Sequence, residues 1–131
     1  MTTYRTALLV GLAGAAISAH AGMFDQPWSI VEGADASSVR EEFRPAITQI
    51  DGKSTRDARE SDPLAPGAHT VKVRFQTGRV VQSKEEEERM LELTLEPCTR
   101  YRIAAARTTG TQWQPKVYSE KIGECARKFQ K

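Results

Sequence analysis

His69-Thr70-Val71-Lys72-Val73-Arg74-Phe75 puts Val71, Val73 and Phe75 on one side of an extended chain and Thr70, Lys72 and Arg74 on the other. Successive side chains of a strand point to opposite faces, so the stretch reads as a half-buried strand, one face in a core and one in water. Leu91-Glu92-Leu93-Thr94-Leu95-Glu96 repeats the alternation, and Arg100-Tyr101-Arg102-Ile103-Ala104-Ala105 repeats it again. Helical spacing fits none of the three as well. The wet faces carry Lys72 and Arg74, then Glu92 and Glu96, then Arg100 and Arg102, so charge changes sign from one strand to the next. Opposite charges facing across a ladder each contribute about a few tenths of a kcal/mol. The pattern therefore predicts three antiparallel neighbours in chain order.

Around these strands the punctuation is that of a β protein. Ala46-Ile47-Thr48-Gln49-Ile50 is rich in β-branched residues and runs into Asp51-Gly52, a strong turn signal. Residues 53–67 are charged, broken by Pro63 and Pro66, and read as a solvated loop. Trp113-Gln114-Pro115-Lys116-Val117-Tyr118 reads as a last strand, placed at an edge or bulge because Pro115 cannot donate to a ladder. Trp28-Ser29-Ile30-Val31 fits a first short strand. Ser38-Val39-Arg40-Glu41 fits either a capping box opening a helical turn or an irregular loop. The expected fold is mainly β, a small antiparallel sandwich.

Residues 1–21 have the layout of a cleavable signal peptide: a short head with Arg5, an apolar run from Ala7 to Ile17, and the small-x-small ending Ala19-His20-Ala21. A membrane span needs roughly 20 apolar residues, more than this run offers. No cysteine lies near the cut, so no lipid anchor on a mature N-terminal Cys is expected. Cleavage leaves residues 22–131, the size of one domain with room for one modest core.

The chain has 19 basic and 17 acidic residues, and loss of Arg5 brings the balance still closer to neutrality. A nucleic-acid binder neutralises phosphates with a strongly basic face, and no such excess exists here. Stable membrane insertion after cleavage is not expected either. The two cysteines, Cys98 and Cys125, both lie beyond the cut, and an even count in an oxidising compartment reads as a disulfide. Closing a loop of that length is worth roughly 3–4 kcal/mol in the chain-entropy model.

Catalytic chemistry finds few candidates. Once His20 is removed, His69 is the one histidine available to a Ser-His-Asp or Cys-His arrangement, and it sits at a strand start where a boundary residue is the ordinary outcome. With both sulfurs in a disulfide, zinc would lack its usual ligands, and no metal or cofactor is expected. Glu85-Glu86-Glu87-Glu88 reads as a solvated charge run, since consecutive carboxylates point in different directions. Asp51, Asp57, Glu60 and Asp62 share one polar loop and keep a paired-carboxylate hydrolase open, with nothing to select a pair. Trp113, beside a turn, is a candidate contact residue if semi-exposed, with Tyr118 near it on the same strand; core packing is the favoured reading for Trp113.

Asp51-Gly52-Lys53 followed by Pro66-Gly67-x-His69-x-Val71-x-Val73 resembles the pattern of PEGA-like and other transthyretin-like or immunoglobulin-like β-sandwich modules of the bacterial envelope, over residues 46–75. The stretch from Leu95-Glu96-Pro97-Cys98 through Trp113-Gln114-Pro115 to Cys125 is similar to small exported bacterial proteins of unassigned activity. The resemblance implies an envelope protein and brings no catalytic residues. The expected function is a non-enzymatic binding or structural module, periplasmic or secreted, with an envelope protein or glycan as partner. A hydrolase of envelope polymers and a secreted hydrolase inhibitor are the alternatives.

Overall fold

A computed structural model describes residues 22–75, 88–108 and 112–129; residues 1–21, the segment read above as a signal peptide, lie outside the described residues. The chain runs β1 (Ile30–Gly33), β2 (Glu42–Phe43), β3 (Ala46–Ile50), β4 (Lys53–Ser54), β5 (Gly67–Arg74), β6 (Glu88–Leu95), β7 (Thr99–Arg107), β8 (Trp113–Lys121) and a C-terminal helix α1 (Gly123–Phe129). One sheet is antiparallel in the order β4-β3-β5-β6. The other is built on β7, with β8 antiparallel along one side and, on the opposite side, β1 parallel to its first half and β2 antiparallel to its second. The mainly β sandwich with its Cys98–Cys125 disulfide is the expected architecture.

The alternations read in the sequence do set the inward faces. Val71 and Val73 of β5, Leu95 of β6, and Tyr101, Ile103 and Ala105 of β7 meet Val31, Ile47, Ile50 and Trp113 in one core. Each fully buried aliphatic side chain is worth about 1.5–3 kcal/mol.

The predicted strand order is corrected. β6 pairs with β5, from Gly67↔Leu95 to Arg74↔Glu88, but β7 lies in the other sheet. The chain changes sheets in the short link Glu96-Pro97-Cys98, where Pro97 has no N–H and Cys98 takes a left-handed φ of 54°. Glu96 N–H donates to the Tyr101 hydroxyl at 2.8 Å, which fixes the corner. The apolar faces of β6 and β7 thus oppose each other across the core instead of sharing one sheet face. Arg100 and Arg102 find their acid on β1 rather than on β6: Glu32 lies 3.3 and 2.7 Å from them, and Glu120 of β8 is 2.8 Å from Arg102.

Two loop segments take definite form. Of the two readings open for residues 38–41 the loop holds and the capping-box helix does not form: the segment is a turn in which Ser37 and Glu42 exchange backbone hydrogen bonds and Glu41 has φ 51°. The 53–67 loop is a strap that bonds to both sheets. Ser29 pairs with Leu64 and Glu32 with Glu60 along β1. Ala58 carbonyl accepts from Ile47 N–H of β3 at 2.8 Å, and buried Ser61 accepts from Val31 N–H through its hydroxyl at 3.0 Å. The register shift between Ile47 and Gln49 frees the Ile47 amide for that contact.

A second, smaller core closes the C-terminal end. Trp28, Cys98 and Cys125 pack with Ile30, Ile122, Ala126 and Phe129, and Phe24 and Phe129 present their edges to the indole. No helix among the described residues is long and apolar enough to cross a membrane.

Candidate functional site

Asp51 and Gly52 both have positive φ, 52° and 80°, the geometry that a two-residue hairpin turn demands and that Asp-Gly supplies at low cost. The turn sends β4 back along β3, and the strap then passes from β3, which it meets at Ala58, to β1, which it follows from Arg59 to Leu64. Between turn and strap opens a cleft of about 330 Å³. Ile50 and Leu64 form its apolar floor, Lys53 and Arg56 are the basic groups of its rim, and Asp51 and Asp62 the acidic ones. Arg56 and Asp62 pair at 3.1 Å with both side chains largely in water, so the pair holds the rim weakly.

His69 fastens one end of the cleft. Its Nδ1 lies 2.6 Å from Asp51 Oδ2 and its Nε2 2.7 Å from the Ala65 carbonyl, joining the hairpin turn to the strap. Asp51 Oδ1 also accepts from Thr70 N–H at 2.8 Å. That backbone bond first, and His69 second, hold the Asp51 carboxyl below the usual carboxylate range. A His–Asp pair invites comparison with a catalytic dyad, but a general base needs its second ring nitrogen free for a nucleophile. Here that nitrogen is occupied by a backbone carbonyl.

No family model matches the sequence, and no curated protein or solved structure matches it. The reading of the site therefore rests on its own geometry.

The loop carboxylates do not converge on one another. Asp51 serves His69 and Thr70, Asp57 accepts from the Arg59 amide at 2.8 Å, Asp62 meets Arg56, and Glu60 sits where the strap backbone bridges β1. Among the described residues no group of three or more His, Cys, Asp or Glu is placed to hold a metal ion. Of the glutamate run, residues 85–87 lie outside the described residues, and Glu88 ends opposite Arg74 on β5, with Lys72 at 3.8 Å.

Core packing, the favoured reading of Trp113, holds, and its candidacy as a contact residue is corrected: the indole is 4% exposed and belongs to the main core, edge-on to Phe75 and beneath the Arg89 guanidinium at 5.1 Å. Its Nε1 is buried with no hydrogen-bond partner among the described residues. Tyr118 is half-buried on the outer face of the β7 sheet, where its hydroxyl bonds the carboxylate of Glu42. Arg40 lies 3.2 Å and Lys116 3.9 Å from the same carboxylate, and the Glu42 side chain is buried. Tyr118 foremost, then the cations, hold Glu42 below its ordinary pKa against the opposing effect of burial. This cluster clamps β2 to β8 across the alanines of β7. The sequence offered no sign of it, because Glu42 stands in a two-residue strand too short to show a period.

Proposed function

We propose that this protein is an exported, non-enzymatic binding module and that the cleft between the Asp51-Gly52 turn and the strap is its ligand site. The observation that carries the reading is the cleft's composition: an apolar floor of Ile50 and Leu64 beneath charges of both signs. Such a site suits an extended peptide segment that inserts one apolar side chain and carries an acidic group beside it. A ligand carboxylate can take Arg56 from Asp62 at small cost, since an exposed ion pair contributes about 0–1 kcal/mol. His69 and the strap's bonds to both sheets hold the walls in place before binding. Preorganisation of that kind spares a ligand the entropy of ordering the loop.

Export is supported by the basic head, apolar run and small-x-small ending of residues 1–21, and by a disulfide of the kind that persists in oxidising compartments. The resemblance of residues 46–75 to PEGA-like envelope modules favours the cell envelope as its place of work. A hydrolase is disfavoured by the engagement of His69 Nε2 and by the dispersal of the loop carboxylates.

The test places a photoreactive side chain at Ser54, beside the cleft, or at Val39, in the exposed turn before β2, outside the cleft and off the β8 edge, and irradiates the disulfide-bonded protein in envelope extract. A single adduct from position 54, absent from position 39 and lost on Arg56→Glu, is the expected result. Adducts indifferent to position and to charge reversal refute the cleft as the ligand site.

A further inference from the structure

Among the described residues β8 is paired on one side only. Across β7, the Ile103 carbonyl accepts from Ala34 N–H at 2.8 Å and Arg107 N–H donates to the Glu41 carbonyl at 3.1 Å. The odd-numbered residues of β7 therefore bond toward β1 and β2, and its even-numbered residues bond to β8. The β7–β8 register sets even opposite even, as in Arg102↔Tyr118 and Ala104↔Lys116, and Ile122 N–H continues the ladder to the Cys98 carbonyl at 2.7 Å. The odd-numbered residues of β8 are left with their N–H and C=O groups directed outward. Pro115 fits this assignment, since its missing N–H would point away from β7. Among the described residues no strand pairs with that edge. Val117 is 39% exposed, and Lys116, Ser119, Glu120 and Lys121 are exposed beside it.

We propose that the β8 edge pairs antiparallel with the β8 edge of a second copy of this chain, about a two-fold axis through Tyr118, joining the two β7–β8 sheets into one. Only registers that set odd residues opposite odd residues connect the outward groups. With the axis at Tyr118, Val117 and Ser119 of the two copies exchange both backbone bonds, and each Lys121 N–H reaches a Pro115 carbonyl. On the outer face Lys116 of each copy then lies opposite Glu120 of the other, so the edge is complementary in charge to itself. Moving the axis to Val117 sets Lys116 against Tyr118 and Gln114 against Glu120. Moving it to Ser119 sets Lys116 against Ile122 and Tyr118 against Glu120. Only the Tyr118 axis forms the two opposite-charge pairs, which selects both the occupant and the register. A long edge left bare is a template for pairing, and this one carries its specificity in two residues.

Sedimentation equilibrium on the purified, disulfide-bonded protein tests the proposal. A monomer–dimer equilibrium is expected in the micromolar to submillimolar range. Val117→Pro removes an outward N–H without taking a bond from the β7 ladder, and is expected to give a folded monomer whose urea midpoint falls modestly because the Val117 side chain opposite Ile103 is lost. Lys116→Glu and Glu120→Lys each place like charges together twice in the dimer and are expected to weaken it about tenfold. The double variant Lys116→Glu/Glu120→Lys restores the opposite-charge pairs between copies, while setting like charges beside Glu42 and Arg102 within each chain, and is expected to associate more tightly than either single variant, which keeps the test alive should Val117→Pro fail to fold. A monomer at every concentration, a dimer indifferent to Val117→Pro, or a double variant no tighter than the single ones overturns the proposal. A monomer that captures an added extended peptide also overturns it, in favour of a foreign strand.

Discussion

Removing the Cys98–Cys125 bond by Cys98→Ala/Cys125→Ala measures what the covalent tie contributes. The two residues are 27 apart in sequence, and the chain-entropy relation for a loop of that length gives about 3.5 kcal/mol at 25 °C. Small domains have about 5–15 kcal/mol in all, so the loss is a large fraction of the total. With a urea slope of about 1.2 kcal/mol per molar for a domain of this size, the midpoint falls by about 3 M. The structure also says where loosening begins. Helix α1 has seven residues, too few to be stable alone, and is held by Cys125, Ala126 and Phe129 against Trp28. Trp28 belongs to this small core and Trp113 to the main one. In the double variant, Trp28 fluorescence, followed in a Trp113→Phe background, is expected to change at lower urea than Trp113 fluorescence followed in a Trp28→Phe background. A midpoint shift under about 0.5 M, or coincident transitions of the two indoles, refutes the reasoning.

Two further outcomes follow from side-chain geometry. Asp51 and Glu42 have depressed pKa values in the folded protein, so the stability they add is complete above the unfolded carboxylate range and drains away as pH falls through their folded values. The urea midpoint should therefore decline from about pH 4 downward, and Asp51→Asn should flatten that decline; an unchanged slope in the variant contradicts the assignment. Gly33→Ala and Gly52→Ala should differ in kind. A Cβ at Gly33 would lie 2.7 Å from the Pro45 carbonyl oxygen, forcing backbone to move at about 1–3 kcal/mol, whereas Gly52 has φ 80° and open space around it, costing about 1 kcal/mol of conformational strain. Thermal unfolding of the two variants checks the order, and an equal or reversed loss sinks it.

The inward faces of β5, β6 and β7 were legible because alternation is a local property: Val71 and Val73, or Tyr101 and Ile103, declare their side of the strand without reference to any neighbour. Which strand lies alongside is not local. Arg100 and Arg102 called for acids, and Glu92 and Glu96 were near in sequence, but Glu32 of β1 and Glu120 of β8 answered. The Asp51-Gly52 turn and the cysteine pair could be read directly, since each depends on the chemistry of its own residues. Helix α1 left a signal in Ile122, Cys125, Ala126 and Phe129, spaced three and four apart, but seven residues are too few to outweigh the surrounding β pattern. Residues 53–62 looked polar and are. Their role as a strap depends on backbone bonds to β1 and β3, which composition does not encode, and the cleft floor joins Ile50 and Leu64 from opposite sides of that loop.

The parallel pairing of β1 with β7 orders events in time. Glu32 and its partner Arg102 are separated by 70 positions, whereas the sheet of β3, β4, β5 and β6 draws all its strands from residues 46–95. A chain emerging N-terminus first can close the latter sheet while β1 still waits for its neighbour. Contacts between distant segments must overcome loop-closure entropy before they stabilise anything, so the pairing of β1 with β7 is slow to form while the β7–β8 hairpin is local. Until the last strands arrive, β1 and the strap beside it remain an open margin of the nascent domain.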